Sequence, residues 1–203
     1  NDSAFPNRLK AIPDAPVLLY AKGNVSCLNN KLTVALIGTR EPTKYGILCG
    51  ERFAGKLANE GFVVISGLAK GIDAASHLGC LKANGTTVAV LANGLDSPIY
   101  PKENRKLAED ILIAGGCLIS EYGLNIKSRP HFFVERDRIQ SGLSCGVIVI
   151  ETDIKGGTMH TVKFAKEQNK ILGCLNHPGK YLLNNNKALG NQELITEGSA
   201  MAL

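Results

Sequence analysis

The stretch VVISGLAKGIDAASH, residues 63–77, carries an apolar, β-branched run through small residues into a helix-compatible segment. A strand-to-helix junction of this kind leaves helix N–H groups unpaired, and small residues let an anion approach them. Ser66, Gly67, Lys70 and Gly71 make up this junction. A second junction, Gly38-Thr39-Arg40, follows the apolar run TVALI, and a guanidinium at its end can give several donors to a phosphate. A third, residues 151–158, ends in Gly156-Gly157-Thr158. The chemistry these residue types offer is phosphate binding by backbone amides and basic side chains.

Standard phosphate motifs do not describe them. Gly67 and Gly71 do not fit G-x-G-x-x-G, the acid expected about twenty residues later is not evident, and no G-x-x-x-x-G-K-[ST] occurs. The segment KGGTMHT, residues 155–161, faintly resembles the glycine-rich loop of nucleotide phosphoribohydrolases. Those enzymes carry a Glu shortly after the glycines, whereas here the turn reads Met159-His160-Thr161-Val162 and the first acid is Glu167. A carboxylate for acid–base work is missing from that turn.

The elements that must position these loops alternate along the chain. Short apolar runs predict strands at residues 33–38, 62–66, 86–91, 117–121, 145–151 and 170–175. Between most of them lie helix-compatible stretches at 44–60, 71–84, 102–114, 133–143 and 158–168, with a last short helix near 192–197. This alternation predicts an α/β fold: a doubly wound, mostly parallel, Rossmann-like sheet with helices on both faces. Residues 1–30 differ. The segment IPDAPVLLYAKGN reads as an appended strand and turn that packs on a sheet edge, leaving residues 31–203 as the Rossmann-like part of one compact unit. Residues 178–191, with the tract Asn184-Asn185-Asn186, read as loop. In such sheets ligands bind beyond the carboxyl ends of the strands, and the glycine-bearing junctions fall there, joined by 92–96 and by Glu121-Tyr122-Gly123.

Composition sets the limits. The 203 residues suffice to bury a real core, with 44% apolar and 20% charged residues, ordinary values for a folded domain. No apolar run approaches a membrane span. The start, Asn1-Asp2-Ser3-Ala4-Phe5, has neither initiator Met nor signal-peptide layout, which is expected of a trimmed or excised domain. Lys and Arg number 23 against 18 acids, and the net charge of +5 permits a nucleic-acid partner without establishing one. Six cysteines without a C-x-x-C pair speak against a zinc site and for buried free thiols in a reducing cytoplasm.

The order of these pieces resembles the DNA-processing protein A (DprA/Smf) family over nearly the whole chain. VALIGTREPTKYG is similar to its first strand and phosphate loop, and VVISGLAKGIDAASHLGCL to its most recognisable signature. AVLANGLDSPIYPKENRKLAEDI and GGCLISEY match the next blocks, FFVERDRIQSGLS resembles F-P-x-R-N-R-I-I-x-G-L-S, and GNQELITEGSA matches the closing helix.

The resemblance implies a Rossmann-like domain without enzymatic activity or cofactor. It would bind single-stranded DNA, form a homodimer, and help load a RecA-type recombinase during DNA uptake in the cytoplasm. The implied contacts are Gly38, Thr39 and Arg40 in the first loop, Ser66, Gly67, Lys70 and Gly71 in the second, and Phe133, Arg136 and Arg138 in the aromatic–arginine block. Other uses are a surface salt bridge for Arg40, backbone geometry for Ser66, Gly67 and Gly71, a solvated charge for Lys70, and core packing for Phe133. Asp137 stands where the family has Asn, and His160 replaces an apolar residue. An added carboxylate beside two arginines would either neutralise part of their field or orient one of them. Two other readings stay open: a nucleotide-binding protein or hydrolase using the same rim, and a scaffold for a recombination partner.

Overall fold

A computed structural model describes residues 4–182 and 185–203. Six strands form a parallel sheet: β2 (Thr33–Ile37), β3 (Val63–Ser66), β4 (Thr87–Val90), β5 (Cys117–Ser120), β6 (Gly146–Val149) and β7 (Ile171–Cys174). β1 (Tyr20–Gly23) adds antiparallel to β5 at one edge, and β8 (Met201–Ala202) adds parallel to β7 at the other. The order is β1-β5-β4-β3-β2-β6-β7-β8. From β2 the chain therefore steps outward through β3, β4 and β5, then returns to the other side of β2 for β6 and β7. The reversal falls between β2 and β6, which is where open α/β sheets leave a crevice for a ligand.

Both sheet faces are covered because the strands are apolar on both sides. In β2, Val34 and Leu36 pack with Ala54 of α2 (Lys44–Asn59) and Cys80 of α3 (Ile72–Lys82). α4 (Arg105–Ile113) extends that layer through Leu107, Ala108 and Ile111. Ala35 and Ile37 face the other way, toward Val162 and Ala165 of α6 (Thr158–Glu167) and Leu194 of α7 (Leu189–Thr196). On that second face Val63, Ile65, Val88 and Val90 pack against Ile139 and Leu143 of α5 (Pro130–Leu143).

The N-terminal segment does more than pad an edge. Leu9 from the short α1 (Asn7–Lys10), with Ile12, Cys27 and Leu28, enters the same core as β3, β4, β5 and α5. Residue types explain the element ends. Thr43 caps α2 by accepting from the Gly46 N–H at 3.0 Å, and Pro130 opens α5, where a missing N–H costs nothing. The last helix begins three residues earlier than its sequence suggests, and Gly190 in that added turn packs on Thr152 and Asp153 of the loop after β6. The loop expected at 178–191 contains two 3-10 turns, Gly179–Tyr181 and Asn186–Ala188; Asn184 lies outside the described residues. No helix among the described residues is long and apolar enough to cross a membrane.

Candidate nucleic-acid interface

The loops after β2 and β6 part at the sheet's reversal and leave a cleft of about 590 Å³. Gly38, Thr39 and Arg40 line one wall, Gly156, Gly157 and Thr158 another, and Phe133, Val134, Arg136, Asp137 and Gln140 of α5 close the third. Ala69, Asp73 and Tyr100 complete the side toward β3.

The first loop is held from behind. Thr39 N–H donates to the Glu151 carbonyl at 2.7 Å, and the Glu151 carboxylate accepts from Thr43 N–H at 2.8 Å and Thr43 Oγ1 at 2.6 Å. His177 Nε2 lies 3.2 Å from the same carboxylate. Burial works against ionisation of Glu151, but the hydrogen bonds from His177 and Thr43 outweigh it and hold its carboxyl below the ordinary range. This clamp leaves the Arg40 side chain at the mouth. Among the described residues Arg40 has no ion-pair partner, and its guanidinium lies 5.0 Å from the centre of the Phe133 ring. An unpaired cation over an aromatic face offers both halves of a nucleotide contact: a phosphate partner and a stacking surface.

Opposite Arg40, α6 begins at Thr158 without a side-chain cap. Among the described residues the Gly157 and Thr158 N–H groups donate to nothing, and they sit at the positive end of a ten-residue helix. Lys187 bridges the two loops, 3.9 Å from Glu41 and 3.7 Å from Asp153. Asn191 of α7 fixes the β6 loop: its Oδ1 accepts from Thr152 N–H at 2.9 Å, and its Nδ2 donates to the carbonyls of Val149, Ile150 and Leu175.

Several residues expected at the phosphate face have other duties. Ser66 is fully buried, and its hydroxyl donates to the Leu36 carbonyl at 2.7 Å. Gly67 is buried against Arg136, so that a Cβ there would land on the guanidinium. Gly71, at φ +80°, packs on the backbone of Thr39 and Arg40, where only a residue without a side chain fits. None of the three lines the cleft: Ser66 bonds back to β2, Gly67 packs on α5, and Gly71 backs the first loop. Lys70 points outward and pairs with Glu103 at 2.8 Å, with both side chains about half exposed. Arg138 turns away from the cleft altogether. It makes a two-pronged bond to Glu121, at 2.6 and 2.8 Å, and holds both the Asp14 carboxylate and carbonyl at 2.9 Å. The expected pair of arginines is thus split: Arg138 ties the N-terminal segment to the core, and Arg136 lies in the cleft wall.

Arg136 is itself buried and committed. Nη1 donates to the Val90 carbonyl at 2.8 Å, Nη2 lies 4.0 Å from Asp73, and Nε lies 3.2 Å from Asp137. Asp73 also accepts from the Gly67 and Ala69 N–H groups. One guanidinium faces two buried carboxylates and can neutralise one of them. Burial accordingly raises Asp73 against the pull of Arg136. Burial likewise pushes Asp137 up to about 6, again against Arg136 and with the Asp73 charge adding to the shift. Nearby His77 is buried, and burial together with Arg136 lowers it to about 3, so it is neutral. His160, by contrast, is exposed and lines the cleft.

Asp137 stood out in the sequence as a carboxylate beside the arginines, and it lies 3.2 Å from Arg136 Nε. Sequence reasoning missed Asp73 and Asp153, which also border the cleft, although neither stands in the glycine-loop turn. It placed Glu151 on the rim but not its clamp on Thr43, 108 residues away, and it missed Asn191, whose partner Thr152 is 39 residues away.

Fold and cleft together define a doubly wound α/β domain with a crevice at its switch point. The chain belongs to the DNA recombination-mediator protein A family, which it matches over residues 1–203. It is 36% identical to Protein Smf of Escherichia coli over 201 residues, covering 98% of this chain and 52% of that protein. It is 38% identical to the DNA processing protein DprA of Streptococcus pneumoniae, covering 98% of this chain and 68% of that one. The solved S. pneumoniae protein superposes with a TM-score of 0.89 at 36% identity, over 100% of this chain and 68% of that one. DNA processing protein A from Helicobacter pylori, whose structural study describes its single-stranded DNA binding mode, superposes with a TM-score of 0.87 at 32% identity, over 97% and 86% of the two chains. A molybdenum cofactor carrier protein from Chlamydomonas reinhardtii shares the fold alone, with a TM-score of 0.56 at 17% identity over 85% of this chain and 90% of that one. The chain spans about half the length of the E. coli and Synechocystis relatives it matches.

Proposed function

We propose that this domain binds single-stranded DNA across the cleft between the β2 and β6 loops, without chemical turnover. The observation that carries this reading is Arg40: an exposed guanidinium without an ion-pair partner among the described residues, lying over Phe133 and facing the bare N-terminus of α6. A backbone phosphate bridges Arg40 and the Gly157–Thr158 amides, and an unpaired base stacks on Phe133. Gly38 and Thr39 shape the loop. Arg136 acts from within the wall, adding positive potential and holding α5 in place. The likeness to the H. pylori protein supports the same ligand.

Absence of turnover is supported by the glycine-loop turn, which holds Met159, His160 and Thr161 where an acid–base carboxylate would stand. A homodimer through the β7–β8 edge is supported by Ile171, Met201 and Leu203, apolar residues that are 64%, 57% and 43% exposed there. Help in loading a RecA-type recombinase would be the wider role of a longer protein built on this domain. The test of the DNA reading is anisotropy titration with a labelled oligothymidylate against the same length as blunt duplex. Binding through single-strand stacking gives clear preference for the oligothymidylate. Equal or tighter duplex binding refutes it.

A further inference from the structure

His177 is buried just past the end of β7, and both of its ring nitrogens face oxygen. Nδ1 lies 3.2 Å from the Leu175 carbonyl, and Nε2 lies 3.2 Å from Glu151 Oε1. A carbonyl only accepts, so Nδ1 carries a hydrogen. The buried Glu151 carboxylate accepts Thr43 N–H on Oε2 and Thr43 Oγ1 on Oε1, the pattern of an ionised acceptor, so Nε2 carries a hydrogen as well. A neutral imidazole has one N–H, and in this seat its other nitrogen would turn a lone pair on an oxygen.

The neighbours supply no other counter-charge. Among the described residues His177 is the one cationic group within ion-pair distance of Glu151. Tyr45 of α2 stands edge-on to His177, with ring centres 5.7 Å apart, and stacks on Tyr181 at 3.9 Å. Cys49, one turn further along α2, acts electrostatically on Glu151. Burial above all pushes Tyr45 up to about 12 and raises Cys49, so neither is charged near neutrality. Arg52 lies further along α2 and is exposed. Loss of the ring proton would leave a buried carboxylate without a counter-charge, and Gly46 packs on that carboxylate with no room even for a Cβ. The pair reaches the cleft through the first loop. The Glu151 carbonyl holds Thr39 and its carboxylate holds Thr43, so one residue fixes both ends of the segment that carries Arg40.

We propose that His177 is a positioning residue for strand binding: it holds a second ring proton, and that proton keeps the Glu151 clamp closed on the Arg40 loop. The proposal rests on the single-stranded DNA reading and adds a proton linkage to it. An imidazole is the side chain that ordinarily changes charge between about pH 5 and 8. Once the second proton is lost the clamp loosens, Arg40 is held less firmly, and affinity for a single strand falls.

Two measurements on the full chain test this. NMR of the parent, with the His177 ring assigned through its contact with Tyr45, should show hydrogens on both ring nitrogens at pH 6. One hydrogen only, a neutral tautomer, overturns the proposal, and this arm needs no variant. The second measurement is oligothymidylate affinity from pH 5.5 to 9 for the parent, His177→Gln and His177→Val. Gln offers Glu151 an N–H at every pH, and Val offers none. The cleft carboxylates and His160 are common to all three proteins, so only the ratio of parent to variant affinity is read. That ratio should fall by roughly 2- to 10-fold across the range, the worth of about one hydrogen bond. Against Gln it should start near one and end below it; against Val it should start above one and end near it. A purely structural role for His177 gives ratios that do not change with pH, which overturns the proposal and leaves the DNA reading standing. No binding by the parent at any pH overturns the DNA reading, and the linkage with it.

Discussion

Replacing Asp137 by Asn should change how stability depends on pH, because one guanidinium cannot neutralise two buried carboxylates. Asp137 sits at about 6 in the folded chain, against an ordinary value of 3.8. Between those values the native state holds a proton that the unfolded state has lost. Stability from this group is therefore fully present below about pH 3.8 and is lost as pH rises through 6, the reverse of an ordinary ion-paired Asp. The shift of about two units corresponds to roughly 3 kcal/mol when complete, of which about 2–3 kcal/mol falls between pH 4 and 7.5. The substituted carboxamide cannot ionise, so that slope disappears, and removal of the neighbouring charge relaxes Asp73 in the same direction. Equilibrium urea unfolding of parent and Asp137→Asn at half-unit steps from pH 4 to 7.5 measures the difference. Groups common to both, such as Glu151 with its lowered value and opposite slope, cancel. Relative to the parent, the variant should gain about 2–3 kcal/mol on going from pH 4 to 7.5. A difference that stays constant within about 0.5 kcal/mol would mean that Asp137 is ionised throughout, and that Arg136 serves it at the expense of Asp73.

Phe133→Ala removes a half-buried stacking face and no charge, so single-strand affinity should fall by roughly 1–3 kcal/mol while its salt dependence stays the same, as checked by titration at several salt concentrations. Gly67→Ala drives a Cβ into the buried Arg136 guanidinium, and should destabilise the fold by about 2–4 kcal/mol in urea unfolding. Lys70→Ala removes a charge already paired with Glu103 outside the cleft, so oligonucleotide affinity should change less than twofold in the same anisotropy assay.

The layered architecture was legible because each strand is a short apolar run bounded by glycine or polar residues, and α2, α3 and α6 match the expected stretches to within two residues. The appended edge strand β1 was legible in the Pro-punctuated run before its Gly-Asn turn, whereas its antiparallel pairing with β5 was not. What sequence could not convey is direction. Arg136 and Arg138 are two apart on one helix and so point apart, one into the cleft wall and the other toward Asp14 and Glu121. Likewise Ser66, Gly67 and Gly71 sit at the expected strand end but are turned to β2, Arg136 and the first loop, while Ala69 of the same loop lines the cleft. The meeting of the cleft carboxylates was hidden for the same reason: Asp137 stood out beside the arginines, but Asp73 and Asp153 come from other elements that only the sheet order brings to it. The two-residue β8 is too short to carry a pattern.

The central claim is that Arg40 holds a phosphate of a single DNA strand at the switch-point cleft. The most direct measurement is the affinity of parent and Arg40→Ala for one oligothymidylate across a series of salt concentrations. Each phosphate contact on a single strand contributes a log–log slope of about −0.7, so the variant should bind more weakly at low salt and its slope should be shallower by about that amount. The two lines should converge as salt rises. Superimposable titrations of parent and variant at every salt concentration would contradict the account, and would leave Arg40 a surface charge with no part in DNA binding.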